Sequence, residues 1–213
     1  MFFYMAKGTA QQIKLTMQNL QPVQVGMSIE NIQGKEALRV VKDISVKEVD
    51  QPSYVKLKNI DFKNGTIEVT VLSRLLPTAP DYARGFIGLA FHINGDNTKF
   101  EAIYIRPVNG RATNQLQRNH SIQYFSYPDY DFDRFRKEAP GQYEAYADMG
   151  LNEWIRIRIT VKGSQAQLFL NNNTQPSLIV NDLKLGPDIT GSIGLWVDVG
   201  TEGFFRDLKV SKE

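Results

Sequence analysis

The chain has 213 residues and no cysteine, so disulfide bonds, thiolate catalysis and cysteine-bound zinc are excluded. Its 25 basic and 23 acidic residues nearly cancel to a net charge of +2, with both signs scattered along the chain. This balance is typical of a solubility surface and predicts no nucleic-acid partner. No stretch approaches the roughly 18 consecutive apolar residues that a membrane span requires.

A chain of this length suits one large all-β domain, because sandwiches and barrels often reach roughly 200 to 250 residues as a single unit. We therefore predict a single domain over residues 1–213, with residues 1–34 as an amino-terminal extension or edge strands. Residues 1–6 are too short for the apolar region of a signal peptide and have no basic segment before them. The sequence therefore indicates the cytoplasm as written, or export if an upstream signal has been removed.

Period-two alternation of apolar residues predicts ten β-strands and little helix. In the clearest of them, residues 154–161, β-branched residues alternate with Trp, Arg and Thr, so one face is core and the other is solvated. In the last, Phe204, Leu208 and Val210 are predicted to share one face with Arg206. The strands cover residues 36–41, 54–57, 65–72, 85–92, 100–106, 121–125, 154–161, 166–170, 192–198 and 204–210.

Two of these strands carry matching Gly-x-Ile-Gly-Leu phrases, at residues 85–89 and 191–195. Their Ile and Leu residues fall on one face, which is predicted to be buried. The other face carries Gly88, Ala90 and His92 in one copy and Gly194, Trp196 and Asp198 in the other. Glycine there allows a ligand or another backbone to approach closely. The two phrases therefore predict a sheet with one packed face and one open face.

Three connections are too long for simple turns, and long loops in compact domains are often functional. Residues 73–84 contain two prolines, and residues 107–120 are rich in Asn, Gln and Arg, so both are expected to overhang a site. In the third, residues 128–150, we expect one or two helical turns over residues 131–138, which Pro140 and Gly141 would end.

The phrases at residues 62–67, 84–91, 104–107, 153–154 and 191–210 resemble the concanavalin A-like lectin/glucanase superfamily, and most closely its laminin-G-like bacterial branch. The resemblance runs from about Lys35 to Val210. It implies an all-β jelly-roll sandwich of two curved antiparallel sheets. It also implies a glycan ligand on the concave sheet or its rim loops, because superfamily members commonly bind glycans there.

The chain departs from the catalytic and metal-binding members of that superfamily. Their hydrolases place carboxylates in a Glu-x-Asp-x-x-Glu motif on one strand face, and this chain lacks it; the nearest approaches are Glu68 alone and Asp198 with Glu202. The acidic loop that holds lectin metals has no counterpart. Residues 129, 131 and 133 are Asp at the spacing that opens an EF-hand, but the glycine and glutamate that complete the motif are missing. We therefore assign no catalytic residue, metal ligand or cofactor.

The best candidate binding residues lie on the strand at residues 100–106 and near it. If Ile103 and Ile105 pack inward, Tyr104 and Arg106 project from the opposite face, where a ring and a planar donor fork suit a saccharide. Arg106 has an alternative role as the partner of Glu101 or Glu68. The orientation of residues 123 and 124 stays open, because neighbouring strand residues point in opposite directions. The predicted ligand-binding residues are Tyr104, Arg106, Arg111, Gln123, Tyr127 and Trp196.

The sequence thus favours a non-catalytic carbohydrate-binding module whose partner is a glycan or oligosaccharide. Residues 102–128 contain Arg106, Arg111 and Arg118 but no acidic residue, which favours an anionic glycan. Two other functions stay open. One is a glycoside hydrolase or other polysaccharide-processing enzyme that assembles its carboxylates from different strands, and the other is a protein-interaction domain of the adhesion type.

Overall fold

The computed structural model describes residues 10–213, in which two antiparallel sheets pack face to face. The predicted all-β sandwich is confirmed. Residues 1–6, considered above as a signal segment, lie outside the described residues. No helix within the described part of the chain is long and apolar enough to cross a membrane.

Fifteen strands and three short helices are found in residues 10–213. The strands are β1 (Gln11–Gln12), β2 (Leu20–Val23), β3 (Val25–Ile32), β4 (Lys35–Lys42), β5 (Tyr54–Leu57), β6 (Gly65–Leu75), β7 (Ile87–Ile93), β8 (Phe100–Ile105), β9 (Ile122–Tyr127), β10 (Glu144–Ala145), β11 (Ile155–Lys162), β12 (Gln165–Leu170), β13 (Leu178–Val180), β14 (Ser192–Val197) and β15 (Thr201–Lys212). The helices are α1 (Pro107–Gly110), α2 (Gln115–Asn119) and α3 (Phe132–Glu138).

The larger sheet has the strand order β13-β12-β11-β6-β15-β4-β3, with β1 paired to β15. The smaller sheet has the order β10-β9-β8-β7-β14-β5-β2. All ten predicted strands are present, with ends shifted by at most three residues. Four of the five strands that the sequence did not predict are sheet edges: β2, β3, β10 and β13. An edge strand is partly exposed to solvent, so its apolar residues need not alternate cleanly.

The main core lies between the sheets and is built by the predicted alternation. Ile87, Leu89 and Ile103 of the smaller sheet pack with Ile157 and Ile159 of the larger one, and all are fully buried. α3 covers part of the same core with Phe135. Its first turn is capped by Asp131, whose carboxylate accepts a hydrogen bond from Arg134 N–H, and the helical turns predicted for residues 131–138 are therefore present.

A second apolar cluster covers the opposite face of the smaller sheet, which we call the groove face. Tyr54, Tyr104 and Trp196 are among its buried members. The glycines that were expected to leave this face open do not. A Cβ at Gly88 would lie 2.3 Å from the Ile103 carbonyl oxygen and 2.5 Å from Tyr104 Cα, and one at Gly194 would lie 2.9 Å from the ring of Tyr54. The backbone and side chains of adjacent strands therefore take up the space, and a ligand has to lie beyond them.

Two bulges change the predicted faces. His92 has a φ of 55°, and it packs against Phe62 on the core side while Ile93 turns to the groove face. The prediction that His92 shares the small face is therefore wrong. His92 Nδ1 lies 2.9 Å from Glu101 Oε2 and Nε2 lies 2.9 Å from the Lys63 carbonyl oxygen, so the ring ties β7 to its neighbours.

The second bulge lies in β15 at Asp207, which has a φ of 55° and shifts the pairing with β6. Phe204 therefore packs with Leu72 on the outer face of the larger sheet, whereas Leu208 and Val210 lie in the main core. The prediction that these three residues share one face is wrong, because the extra residue of a bulge reverses the alternation after it.

Candidate functional site

A groove with a cavity volume of about 490 Å³ runs across the groove face of the smaller sheet. Its floor is formed by Phe86 and by Tyr104 and Arg106 at the end of β8. The loop of residues 76–86 forms one wall, and the α1–α2 segment forms another. α3 and the loop of residues 43–53 complete the wall. Both of the long loops that were expected to overhang a site thus line this groove.

Arg106 is the central polar group of the groove, and only 4% of its surface is exposed. One nitrogen, Nη1, donates to Glu144 Oε1 at 3.0 Å and to the His120 carbonyl oxygen at 3.1 Å. The other, Nη2, donates to Tyr104 Oη at 2.7 Å and to Gln123 Oε1 at 3.2 Å. These four bonds hold the guanidinium in one orientation, so its position does not depend on a ligand.

Glu144 is surrounded by basic side chains on this side of the groove. Arg136 of α3 donates to it at 2.6 Å, in addition to Arg106, and His120 Nδ1 lies 2.6 Å from Oε2 but is not aligned for a hydrogen bond. Burial opposes ionisation of Glu144, but hydrogen bonds from Arg136 and the charge of Arg106 outweigh it and hold its pKa below the ordinary value. Burial, together with the two arginines, also lowers the pKa of His120.

A second set of buried charged groups lines the groove where Asp50 and Asp198 meet. Asp50 N–H donates to Asp198 Oδ2 at 2.9 Å, and Lys42 Nζ donates to Asp198 Oδ1 at 2.5 Å. Asp50 Oδ2 in turn accepts a hydrogen bond from Phe132 N–H at 2.9 Å. Burial and the neighbouring Asp198 raise the pKa of Asp50 to about 7.

Apolar side chains stand beside these charges. Tyr82 and Leu116, which are 55% and 66% exposed, form the rim, and Phe86 and Phe132 lie deeper in the groove. The guanidinium carbons of Arg136 and Arg106 lie 4.9 and 5.8 Å from the centre of the Phe132 ring. The groove thus combines ring faces with fixed hydrogen-bond donors, which is a usual composition of small-molecule sites.

Two of the six residues predicted to bind ligand, Tyr104 and Arg106, line the groove. Gln123 points to the same side as Arg106, which resolves its orientation, but it is fully buried and supports Arg106 from behind. Trp196 is also fully buried, with its ring centre 4.7 Å from that of Tyr104, and its Nε1 donates to the Gln51 carbonyl oxygen. Gln123 and Trp196 therefore position groove residues and do not line the groove themselves.

Arg111 and Tyr127 lie away from the groove. Arg111 is exposed and forms ion pairs with Asp148 and Glu153. Tyr127 stacks on Phe100, with ring centres 5.2 Å apart, and borders a separate depression. The alternative for Arg106 is corrected as well: its carboxylate partner is Glu144, and neither Glu101 nor Glu68, which pair with His92 and Arg156.

Several groove residues were missed or discounted from the sequence. Asp198 carried a signal, since alternation placed it beside Trp196 on the small face, but it was considered only as a partner of Glu202. Asp50 lies in a loop and Glu144 in the two-residue strand β10, and neither gave a signal. His120 gave none either, because its contact with Glu144 depends on the pairing of β9 with β10.

The three aspartates at residues 129, 131 and 133 do not converge. Asp131 caps α3, and Asp133 pairs with Lys137 at 2.6 Å. Across the described residues, no group of three or more His, Asp or Glu side chains is arranged to hold a metal ion.

Comparisons with known proteins show the fold. No family model and no curated protein sequence matches the chain. Among solved structures, the carbohydrate binding module CBM66 from Bacillus subtilis has a TM-score of 0.54 at 13% identity, covering 91% of this chain and 96% of its own. A protein of unknown function with a galectin-like fold from Bacillus subtilis has a TM-score of 0.51 at 12% identity, with coverages of 92% and 90%.

A third structure, a putative glycosyl hydrolase from Parabacteroides distasonis, has a TM-score of 0.51 at 11% identity, covering 92% of this chain and 89% of its own. These likenesses extend over nearly the whole described chain and include both of its sheets. The chain therefore has the concanavalin A-like β-sandwich fold.

Proposed function

We propose that this chain is a non-catalytic carbohydrate-binding domain of the laminin-G-like branch, with its glycan in the groove over the smaller sheet. One observation carries the proposal: the groove sets exposed ring faces beside a guanidinium that four hydrogen bonds hold in place. The likeness in fold to a carbohydrate binding module supports the same function.

The chemistry of the groove suits a sugar ring. Tyr82 and Phe86 offer apolar faces for the C–H side of a pyranose or furanose. Asn114 and Gln117 of the α1–α2 segment line the groove and carry amide groups suited to hydroxyls, whereas the buried amide of Asn109 bonds to the His120 carbonyl oxygen and to Gln117. Since the floor is already anchored by protein contacts, little side-chain entropy is lost on binding.

A glycan array followed by calorimetry tests the proposal, with Tyr82→Ala as the groove variant. Tyr82 lies on the rim and is 55% exposed, so its removal leaves the core intact. We expect the affinity for the best glycan to fall about tenfold, equivalent to about 1.4 kcal/mol. Tyr146→Ala is the matched control, because Tyr146 is 43% exposed and lies outside the groove. Equal affinities in Tyr82→Ala and the wild type would contradict this site.

A second candidate function is a glycoside hydrolase, and the raised pKa of Asp50 beside Asp198 favours it, because a protonated carboxyl near neutral pH is suited to act as a general acid. Against it, Asp198 is held by Lys42 and by a backbone N–H, which leaves it poorly placed as a nucleophile. We expect no release of reducing ends from laminarin, xylan or lichenan. Release that disappears in Asp50→Asn would favour the enzyme.

A further inference from the structure

The groove carries more positive than negative charge. Arg106 and Arg136 share one carboxylate, Glu144, at 3.0 and 2.6 Å. Arg84 donates through Nη1 to the carbonyl oxygens of Asp81 and Ala83 at 2.6 and 2.8 Å, and it forms no salt bridge within the described residues. A single carboxylate thus faces two guanidinium groups, and a third guanidinium has only backbone partners.

Around Asp198 the charges of the groove balance, apart from that of Asp50. There Lys42 neutralises Asp198, with both side chains at least 96% buried. Asp50 lines the groove next to them, and its φ of 53° holds it in a left-handed conformation that turns its N–H to Asp198. The charge of the whole groove therefore depends on whether Asp50 is ionised.

The groups that face Asp50 come from several elements, and they decide its protonation. Burial has the largest effect and raises its pKa, and the charge of Asp198 acts in the same direction. The Phe132 N–H and the charge of Arg106 oppose this, and Asp131 adds a smaller upward effect. The outcome is a pKa of about 7, so Asp50 changes charge close to neutral pH.

We propose that the groove selects glycans that carry a carboxylate, such as uronic-acid oligosaccharides, and that Asp50 must be protonated for them to bind tightly. The inference rests on the proposed function, since it concerns the same groove. A protonated Asp50 donates a hydrogen bond to the ligand carboxylate and leaves the unmatched arginines to pair with it. An ionised Asp50 repels the ligand and cancels one of those positive charges.

Binding is then coupled to a proton on Asp50. Below pH 7 the affinity for a uronic-acid ligand is constant, and above it the affinity falls by up to about tenfold per pH unit, the limit for one linked proton. Burial lowers the pKa of His120 from its ordinary value, so the fall in affinity above pH 7 does not come from this residue. A neutral glycan of the same linkage lacks the carboxylate, so its affinity stays nearly flat across the same interval.

Calorimetry at pH 5.5, 7.0 and 8.5 and constant ionic strength tests this coupling. The probes are oligomers of galacturonate, mannuronate and glucuronate, each beside its carboxyl-reduced neutral counterpart. For the best acidic probe, we expect the affinity of the wild type to fall at least tenfold from pH 5.5 to 8.5. Asp50→Asn removes the charge and keeps a residue that tolerates positive φ, so its affinity should be independent of pH.

Asp207→Asn is the matched control, because Asp207 also has a positive φ, of 55°, but lies on the larger sheet and does not line the groove. It should keep the pH profile of the wild type. If Asp50→Asn does not fold, carbon NMR of the Asp50 carboxyl in the wild type replaces it. Its pKa should rise when the acidic probe is added and should not change with the neutral one.

The outcomes separate this inference from the proposed function. Binding of neutral glycans with no preference for acidic ones would overturn the inference and retain the proposed function. A flat pH profile for the wild type, or an unchanged slope in Asp50→Asn, would overturn the role of Asp50. If no acidic probe, no neutral probe and no glycan of the array bound, both proposals would be wrong.

Discussion

Asp50 has a left-handed backbone and is buried beside a second acid, Asp198; burial first, and then the charge of Asp198, raise its pKa to about 7. In the unfolded chain the carboxyl has its ordinary value of 3.8, so between these pH values the folded state binds more protons. The free energy of unfolding therefore falls as the pH rises from about 4 to 7 and is constant above 7. Ionisation of the buried Asp50 near neutral pH therefore lowers the stability of the folded protein.

The first prediction follows from this fall in the free energy of unfolding with rising pH. Relative to the wild type, Asp50→Asn should gain stability as the pH rises through this interval, by up to about 4 kcal/mol, since each pKa unit corresponds to about 1.36 kcal/mol. Urea denaturation of both proteins at pH 4, 6 and 8 measures it. A difference that does not change with pH would show that Asp50 has an ordinary pKa.

Arg106 shows why a conservative change need not be tolerated. A lysine ammonium is a single point of charge and cannot reach Glu144, Tyr104 and Gln123 together. We predict that Arg106→Lys lowers the free energy of unfolding by about 2 kcal/mol, because buried acceptors lose their donors, and that it weakens glycan binding.

Arg111→Lys is the control for this second prediction, since Arg111 also lies in the acid-free interval but is exposed. Its ion pairs with Asp148 and Glu153 are at the surface, so we expect a change below about 1 kcal/mol. Chemical denaturation and calorimetry of the two variants are compared directly. Equal losses in both would contradict the anchoring role of Arg106.

At the scale of elements, β15 pairs with both β6 and β4 inside the larger sheet, and it contributes four buried apolar side chains on two faces. Burial of each such side chain contributes about 1.5–3 kcal/mol, and a domain has only about 5–15 kcal/mol in total. We therefore predict that truncation after Gly203 abolishes cooperative melting in calorimetry. Truncation after Val210 removes only residues 211–213 and should melt near the wild type; similar melting of both would contradict the third prediction.

The helices and loops around the groove are each too short to be stable alone, and side-chain contacts hold them to the sheet. α3 is attached at its first turn through Phe132 N–H to Asp50, and at its last turn through Arg136 to Glu144. α2 begins at Asn114, whose side chain accepts from Gln117 N–H. The wall of the groove is thus positioned by the same charged groups that face the ligand.

At the scale of the whole molecule, the sandwich presents a groove that is already formed without ligand. A glycan that binds only the folded state should stabilise it by about 2.7 kcal/mol at a concentration of 100 times Kd. For a domain of this size, that corresponds to a rise in Tm of about 5–10 °C. Thermal melts with increasing glycan measure this fourth prediction, and Tyr82→Ala should require about tenfold more glycan for the same rise.

The sequence by itself determined the strands, because alternation is a local property that about four to eight residues of one strand suffice to express. It predicted the ten interior strands, the buried face of β7 and β14, and the Tyr104–Arg106 pair on the opposite face. The faces predicted for the ends of β7 and β15 were wrong, because one alternation was continued through each strand, whereas the bulges at His92 and Asp207 reverse it.

Only the tertiary structure decided the groove. Asp50 meets Asp198 across 148 residues of chain, and Arg106 meets Glu144 across 38. Such contacts depend on which strands are neighbours and in what register they pair, and no local pattern contains that information. For the same reason Arg111 and Tyr127, which have the right side chains for binding, lie outside the groove, while Asp50 lines it: side-chain chemistry is local, but convergence on one site is set by the packing of remote segments.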